Sequence, residues 1–66
     1  MLITINGEKE EVKMKLNLTG LILSKGLRAE NVVIEHNSRI VPKGQWQNTL
    51  LKENDFIEIV SFVGGG

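Results

Sequence analysis

The 66-residue chain predicts an α+β fold, a single mixed sheet of four to five strands with one helix packed across it. Three observations carry this. Apolar and polar residues alternate with a two-residue period at both ends of the chain, in residues 1–15 and 56–63. A single short stretch, residues 17–26, changes to the helical period. Between that stretch and the last strand lie brief extended segments separated by turn-forming residues.

At the N-terminus, Ile3 and Ile5 point to one face and Leu2 and Thr4 to the other. Asn6-Gly7 follows, and both residues tolerate positive φ, so a hairpin turn is expected there. Val12 and Met14 are then expected inward and Lys13 and Lys15 outward, which makes residues 1–15 a hairpin with one apolar face. The lysines and Glu8, Glu10 and Glu11 form a solvated face. Leu18, Leu21 and Ile22 stand at i, i+3 and i+4, a single helical stripe. Asn17 suits the N-cap, Lys25 the negative end of the helix dipole, and Gly26 the left-handed position just past the end. Gly20 weakens this helix by about 1 kcal/mol relative to Ala. Burying a Leu or Ile contributes about 1.5–3 kcal/mol each, so the helix is expected to hold only against a sheet.

Val32 to Asn37 reads as a third strand with Val32, Ile34 and His36 on one face. Asn37-Ser38 is a turn, and Ile40-Val41-Pro42 a short extended piece whose proline argues for an edge. Lys43 to Asn48 is a loop anchored by Trp46. Leu50 and Leu51 turn toward the core before the turn Glu53-Asn54-Asp55, and Phe56 to Val63 is the longest strand. The order β-β-α-β-β-β, with a hairpin, one crossover helix and a return strand, is that of the β-grasp fold. Two parts are expected: a β-grasp domain over residues 1–63 and a flexible tail over residues 64–66.

Composition narrows function. A domain of this size buries only about 60% of its unfolded surface, which leaves no room for a deep catalytic cleft. The chain has no Cys and one His, so a thiol nucleophile and a cysteine metal site are excluded. His36 has no partner at metal or catalytic spacing and reads as a hydrogen-bonded strand-end residue. Eight basic and eight acidic side chains cancel, which gives no general pull toward nucleic acid or anionic membrane. No apolar run spans a bilayer, and the first residues alternate like a strand rather than a signal peptide. A soluble, cytoplasmic protein is expected.

Two features could carry chemistry. Three of the seven glycines, Gly64, Gly65 and Gly66, end the sequence. Three extended residues reach about 10 Å, and without side chains they could enter a slot that any Cβ would block. A free α-carboxylate with pKa about 3.3–3.7 is ionised and unreactive as an electrophile, so a partner enzyme would have to activate it. Taken alone, such a tail equally fits a frayed terminus or a linker. The second feature is the last strand. If Ile57, Ile59 and Ser61 face the helix, then Phe56, Val60 and Phe62 form an exposed apolar patch close to the tail, a partner-binding candidate. The alternative is partial cover by neighbouring strands or loops.

Over its whole length the chain resembles the ThiS family, ubiquitin-like sulfur carriers of thiamine thiazole biosynthesis. The resemblance is carried by the opening strand with Asn6-Gly7, the helix Leu18 to Leu23 and Val32 to Asn37. It continues through Ile40-Val41-Pro42 with Trp46, Asn54-Asp55-Phe56-Ile57-Glu58-Ile59 and the terminal Gly65-Gly66. It implies a carrier, not an enzyme, whose Gly66 carboxylate is adenylated by a ThiF- or E1-like enzyme and then thiocarboxylated with sulfur from a persulfide donor. Gly64 and Gly65 would thread into the partner's active site. A ThiG-like thiazole synthase would receive the sulfur. ATP and zinc would belong to the partner, with no cofactor or metal bound by this chain, and the free chain would be a monomer. Gly64 makes three glycines of the family's usual two. Two rivals share the tail. The small subunit of molybdopterin synthase is usually longer, often with prolines where Ser61-Phe62-Val63 stands here. A ubiquitin-like modifier would form isopeptide bonds instead. A plain interaction domain with a dispensable tail is a third.

Overall fold

The structure, a computed structural model, describes residues 1–62. Strands β1 (Leu2–Ile5) and β2 (Glu8–Glu11) form the opening hairpin, helix α1 covers Leu18–Ser24, and β3 (Val32–His36), β4 (Arg39–Ile40) and β5 (Phe56–Ser61) complete the chain. Two 3-10 turns, Ala29–Asn31 and Lys43–Asn48, fill the connections. The five strands form one sheet in the order β2-β1-β5-β3-β4. β1 and β5 run parallel, and every other pair is antiparallel. The last strand is thus the central one, reached from the hairpin by way of the helix and β3.

The hairpin turn forms where expected, with Asn6 at φ 50° and Gly7 at φ 83°. Asn17 caps α1 through its side-chain oxygen, which accepts from the Gly20 N–H at 2.7 Å. Gly26 takes the left-handed conformation after the helix, at φ 72°. Lys25 caps the helix end with its main chain, while its ammonium reaches Glu10 on β2 at 2.7 Å. Leu18, Leu21 and Ile22 are buried against Ile3, Ile34 and Ile57 of the sheet. Trp46 joins the same core, and its indole N–H is satisfied by the Val41 carbonyl at 2.9 Å.

Gly20 has a packing reason. A Cβ there would stand 3.0 Å from Leu16 Cδ2 and 3.3 Å from the capping Asn17 Oδ1. The missing side chain lets the Leu16 side chain and the cap crowd onto the first helical turn.

Four expectations are corrected. Met14 is exposed, because β2 ends at Glu11 and the inward alternation stops with the half-buried Val12. Of Leu50 and Leu51, only Leu51 is buried; the Leu51 N–H bonds to the Leu16 carbonyl, which turns Leu50 outward. β4 is Arg39–Ile40 rather than a piece starting at Ile40. β5 ends at Ser61, and Ser61 is exposed although Ile57 and Ile59 on its face are buried.

Candidate functional site

The helix lies over the face carrying Ile3, Ile5, Ile34 and Ile57, which leaves the opposite face of the sheet bare. Phe56, Val60 and Phe62 are 62%, 57% and 48% exposed, as the strand period requires. The register shows what surrounds them. Val60 stands directly opposite Val33 and Phe56 beside Thr4 of β1. Ile40 pairs with Glu35 and so shares this face. Val33 and Ile40 are exposed too, which extends the apolar surface across β3 and β4. Neither was singled out from the sequence. The same alternation that turns Val32 and Ile34 inward would have marked Val33.

Within this face Glu35 and Glu58 sit directly opposite each other across β3 and β5. Neither carboxylate belongs to an ion pair among the described residues. Like charges in this position are destabilising. Over β5, β3 and β4 the outer face is therefore apolar with two negative charges at its middle, while on the β2 side it carries Lys9 and Glu11.

The root of the last segment is held from both sides. On the β3 side the Phe62 N–H donates to the Asn31 carbonyl at 2.9 Å. On the β1 side the strand pairing ends at Ile5 and Ile57. Beyond it the Asn6 side chain takes over: its Oδ1 accepts from the Ile59 N–H at 2.7 Å and its Nδ2 donates to the Ile59 carbonyl at 3.2 Å. Gly64, Gly65 and Gly66 lie outside the described residues.

At the opposite end of β5, Asp55 is 5% exposed and fully bonded. Its carboxylate accepts from His36 Nε2 at 2.8 Å, from the Lys52 N–H at 2.8 Å and from Asn37 Nδ2 at 3.1 Å. Burial opposes its ionisation, but His36, the Lys52 N–H and the Asn37 amide together hold its carboxyl below the usual range. Asn37 in turn accepts from the Phe56 N–H at 2.9 Å. His36 is thus a hydrogen-bonded residue at the end of its strand. The sequence marks Asp55 only as part of the turn Glu53-Asn54-Asp55; two of the groups that bond it, His36 and Asn37, lie 19 and 18 positions away. Among the described residues no group of three or more His, Asp or Glu is placed to hold a metal ion. No helix among them is long and apolar enough to cross a membrane.

A mixed five-stranded sheet grasping a single helix, with its last strand at the centre, defines a β-grasp protein. The model of the ThiS family matches residues 2–66. The crystal structure of the thiamine biosynthesis protein ThiS from Geobacter metallireducens superposes with a TM-score of 0.85 at 32% identity, with all of both chains covered. The sulfur carrier protein ThiS of Bacillus subtilis is 35% identical over 68 residues, which take in 98% of this chain and all of that protein. A thiazole synthase of Magnetococcus marinus is 38% identical over 66 residues, and this chain spans 20% of its length. The chain belongs to the ThiS family.

Proposed function

We propose that this chain is a sulfur carrier that donates sulfur for thiazole formation in thiamine biosynthesis. The observation that carries this reading is its end-to-end match to the Bacillus subtilis sulfur carrier protein ThiS. Gly66 is the group modified. An adenylating enzyme of the ThiF or E1 kind binds the carrier and directs the Gly66 carboxylate to the α-phosphorus of ATP; pyrophosphate leaves. The outer sulfur of a persulfide donor then attacks the Gly66 carbonyl and displaces AMP, which gives an acyl disulfide. A second thiol attacks the donor's sulfur and the S–S bond breaks. The thiocarboxylate is released, while the donor and that thiol are left as a disulfide. Gly64 and Gly65 serve as the thread that reaches the partner's active site. ATP binds to the partner, and this chain supplies no catalytic group.

The carrier next delivers sulfur to a ThiG-like thiazole synthase. Proteins named thiazole synthase in Magnetococcus marinus and Paramagnetospirillum magneticum contain a segment similar to this whole chain, about a fifth of their length. A carrier and an acceptor joined in one polypeptide support such a partnership. The bare face of Phe56, Val60 and Phe62, beside the root of the tail, is the surface on which the adenylating enzyme docks. The setting is cytoplasmic.

The test is intact mass. Incubation with a cognate adenylating enzyme, ATP, a persulfide donor and a thiol reductant should raise the mass by the difference between sulfur and oxygen. Addition of thiazole synthase with its remaining substrates should reverse the gain. An unchanged mass, with an enzyme shown to be active on another carrier, would overturn the reading. Attachment to lysines of other proteins would mark a modifier instead.

A further inference from the structure

We propose that Asn6 is a positioning residue for the tail: its side-chain amide anchors β5 at Ile59 and so fixes where the last segment leaves the sheet. The inference rests on the carrier reading above, since it concerns how the tail is presented to an activating enzyme.

The geometry has three parts. The main-chain pairing of β1 with β5 stops at Ile5 and Ile57, whereas β5 continues to Ser61. The chain cannot extend β1 further, because Asn6 and Gly7 turn back into the hairpin at φ 50° and 83°. The Asn6 N–H still donates to the Ile57 carbonyl at 2.9 Å, and its side chain then occupies the place of the next peptide group. A side-chain amide has the acceptor and donor of a peptide, and here both are used on one residue, Ile59 N–H at 2.7 Å and Ile59 C=O at 3.2 Å. The two bonds bridge 53 positions of sequence.

Without this bridge β5 would be held beyond Ile57 only by its β3 edge. Its end would fray, so that the residues from Ile59 to Phe62 would no longer be fixed on the sheet. A segment so released samples more conformations, so presenting the chain's last residue in one narrow site costs more entropy. The effect belongs to productive binding of the tail rather than to the chemical step.

Asn6→Gly removes the amide yet keeps a residue at ease with positive φ, so the turn is preserved. Asn6→Asp keeps the acceptor for the Ile59 N–H and tolerates the same φ. Leu51→Val, a truncation in the core that leaves both Asn6 bonds to Ile59 in place, supplies a control of lowered stability. Amide exchange followed by NMR should show the Ile59 N–H of Asn6→Gly exchanging faster relative to the amides of β3, with partial recovery in Asn6→Asp. In steady-state assays of ATP-dependent activation, Asn6→Gly should raise the carrier's KM about tenfold, the scale of two lost hydrogen bonds, with kcat within about twofold. Unchanged exchange at Ile59 overturns the anchor. Faster exchange with an unchanged KM, or an equal rise in KM in Leu51→Val, overturns the positioning role. A wild-type chain that no adenylating enzyme activates overturns the carrier reading and the role in activation with it, while the exchange rates still decide whether Asn6 anchors β5.

Discussion

Asp55 Oδ2 accepts a hydrogen bond from His36 Nε2 at 2.8 Å, and this bond joins the start of the central strand to the end of its neighbour. With the Lys52 N–H and Asn37 Nδ2 it gives a buried carboxylate three donors. The folded carboxyl titrates below its unfolded value. The stability from this arrangement is therefore present above the unfolded pKa, about 3.9, and is lost as the pH falls through the lower folded value. Denaturant unfolding measured from pH 6 down to pH 2 should show this loss. Asp55→Asn should flatten the profile and lower stability at pH 6 by on the order of 2–3 kcal/mol, as expected for bonds to a charged group.

Glu35 and Glu58 should repel at low ionic strength. Glu58→Lys turns the pair into an opposite-charge pair and should stabilise by about 0.2–1 kcal/mol. Salt should shrink the difference, since both groups reach solvent and are screened. Urea midpoints in dilute buffer and in 1 M salt make the comparison; equal midpoints for both proteins in dilute buffer would mean that the carboxylates splay apart without cost.

Gly20→Ala tests the close contact at the helix start. Helix propensity alone predicts a gain of about 1 kcal/mol. The added Cβ would meet Leu16 Cδ2 at 3.0 Å and Asn17 Oδ1 at 3.3 Å, so Leu16 and the cap have to yield. The measured gain should fall well short of the propensity value. A full gain in thermal or chemical unfolding would show that Leu16 moves aside freely.

Val60→Asp and Phe62→Asp test the outer face. Both side chains are about half exposed or more, so stability should change by no more than about 1 kcal/mol, the range of strand propensity. Affinity for the adenylating enzyme, measured by calorimetry, should fall at least tenfold. A sharp fall in melting temperature, with unaltered binding by the folded fraction, would assign these residues to the core instead.

Much of this architecture is local and therefore legible in the sequence. The strand period turned Ile57 and Ile59 inward and Phe56, Val60 and Phe62 outward, and burial agrees at each of these positions. The helical stripe, the Asn17 cap and the Asn6-Gly7 turn likewise depend on neighbours within four residues. The family was recognisable because its motifs run the length of the chain. Partners far apart in sequence were decided only by the tertiary structure. Asn6 read as a turn residue until Ile59 was brought beside it, and Asp55 as a turn residue until His36 and Asn37 closed over it. Glu35 and Glu58 became a repelling pair only through the β3–β5 register. Periodicity says which way a side chain points, a property of φ and ψ at that residue. What it meets there depends on strand order and register, which the whole core sets by burying one face of every strand at once.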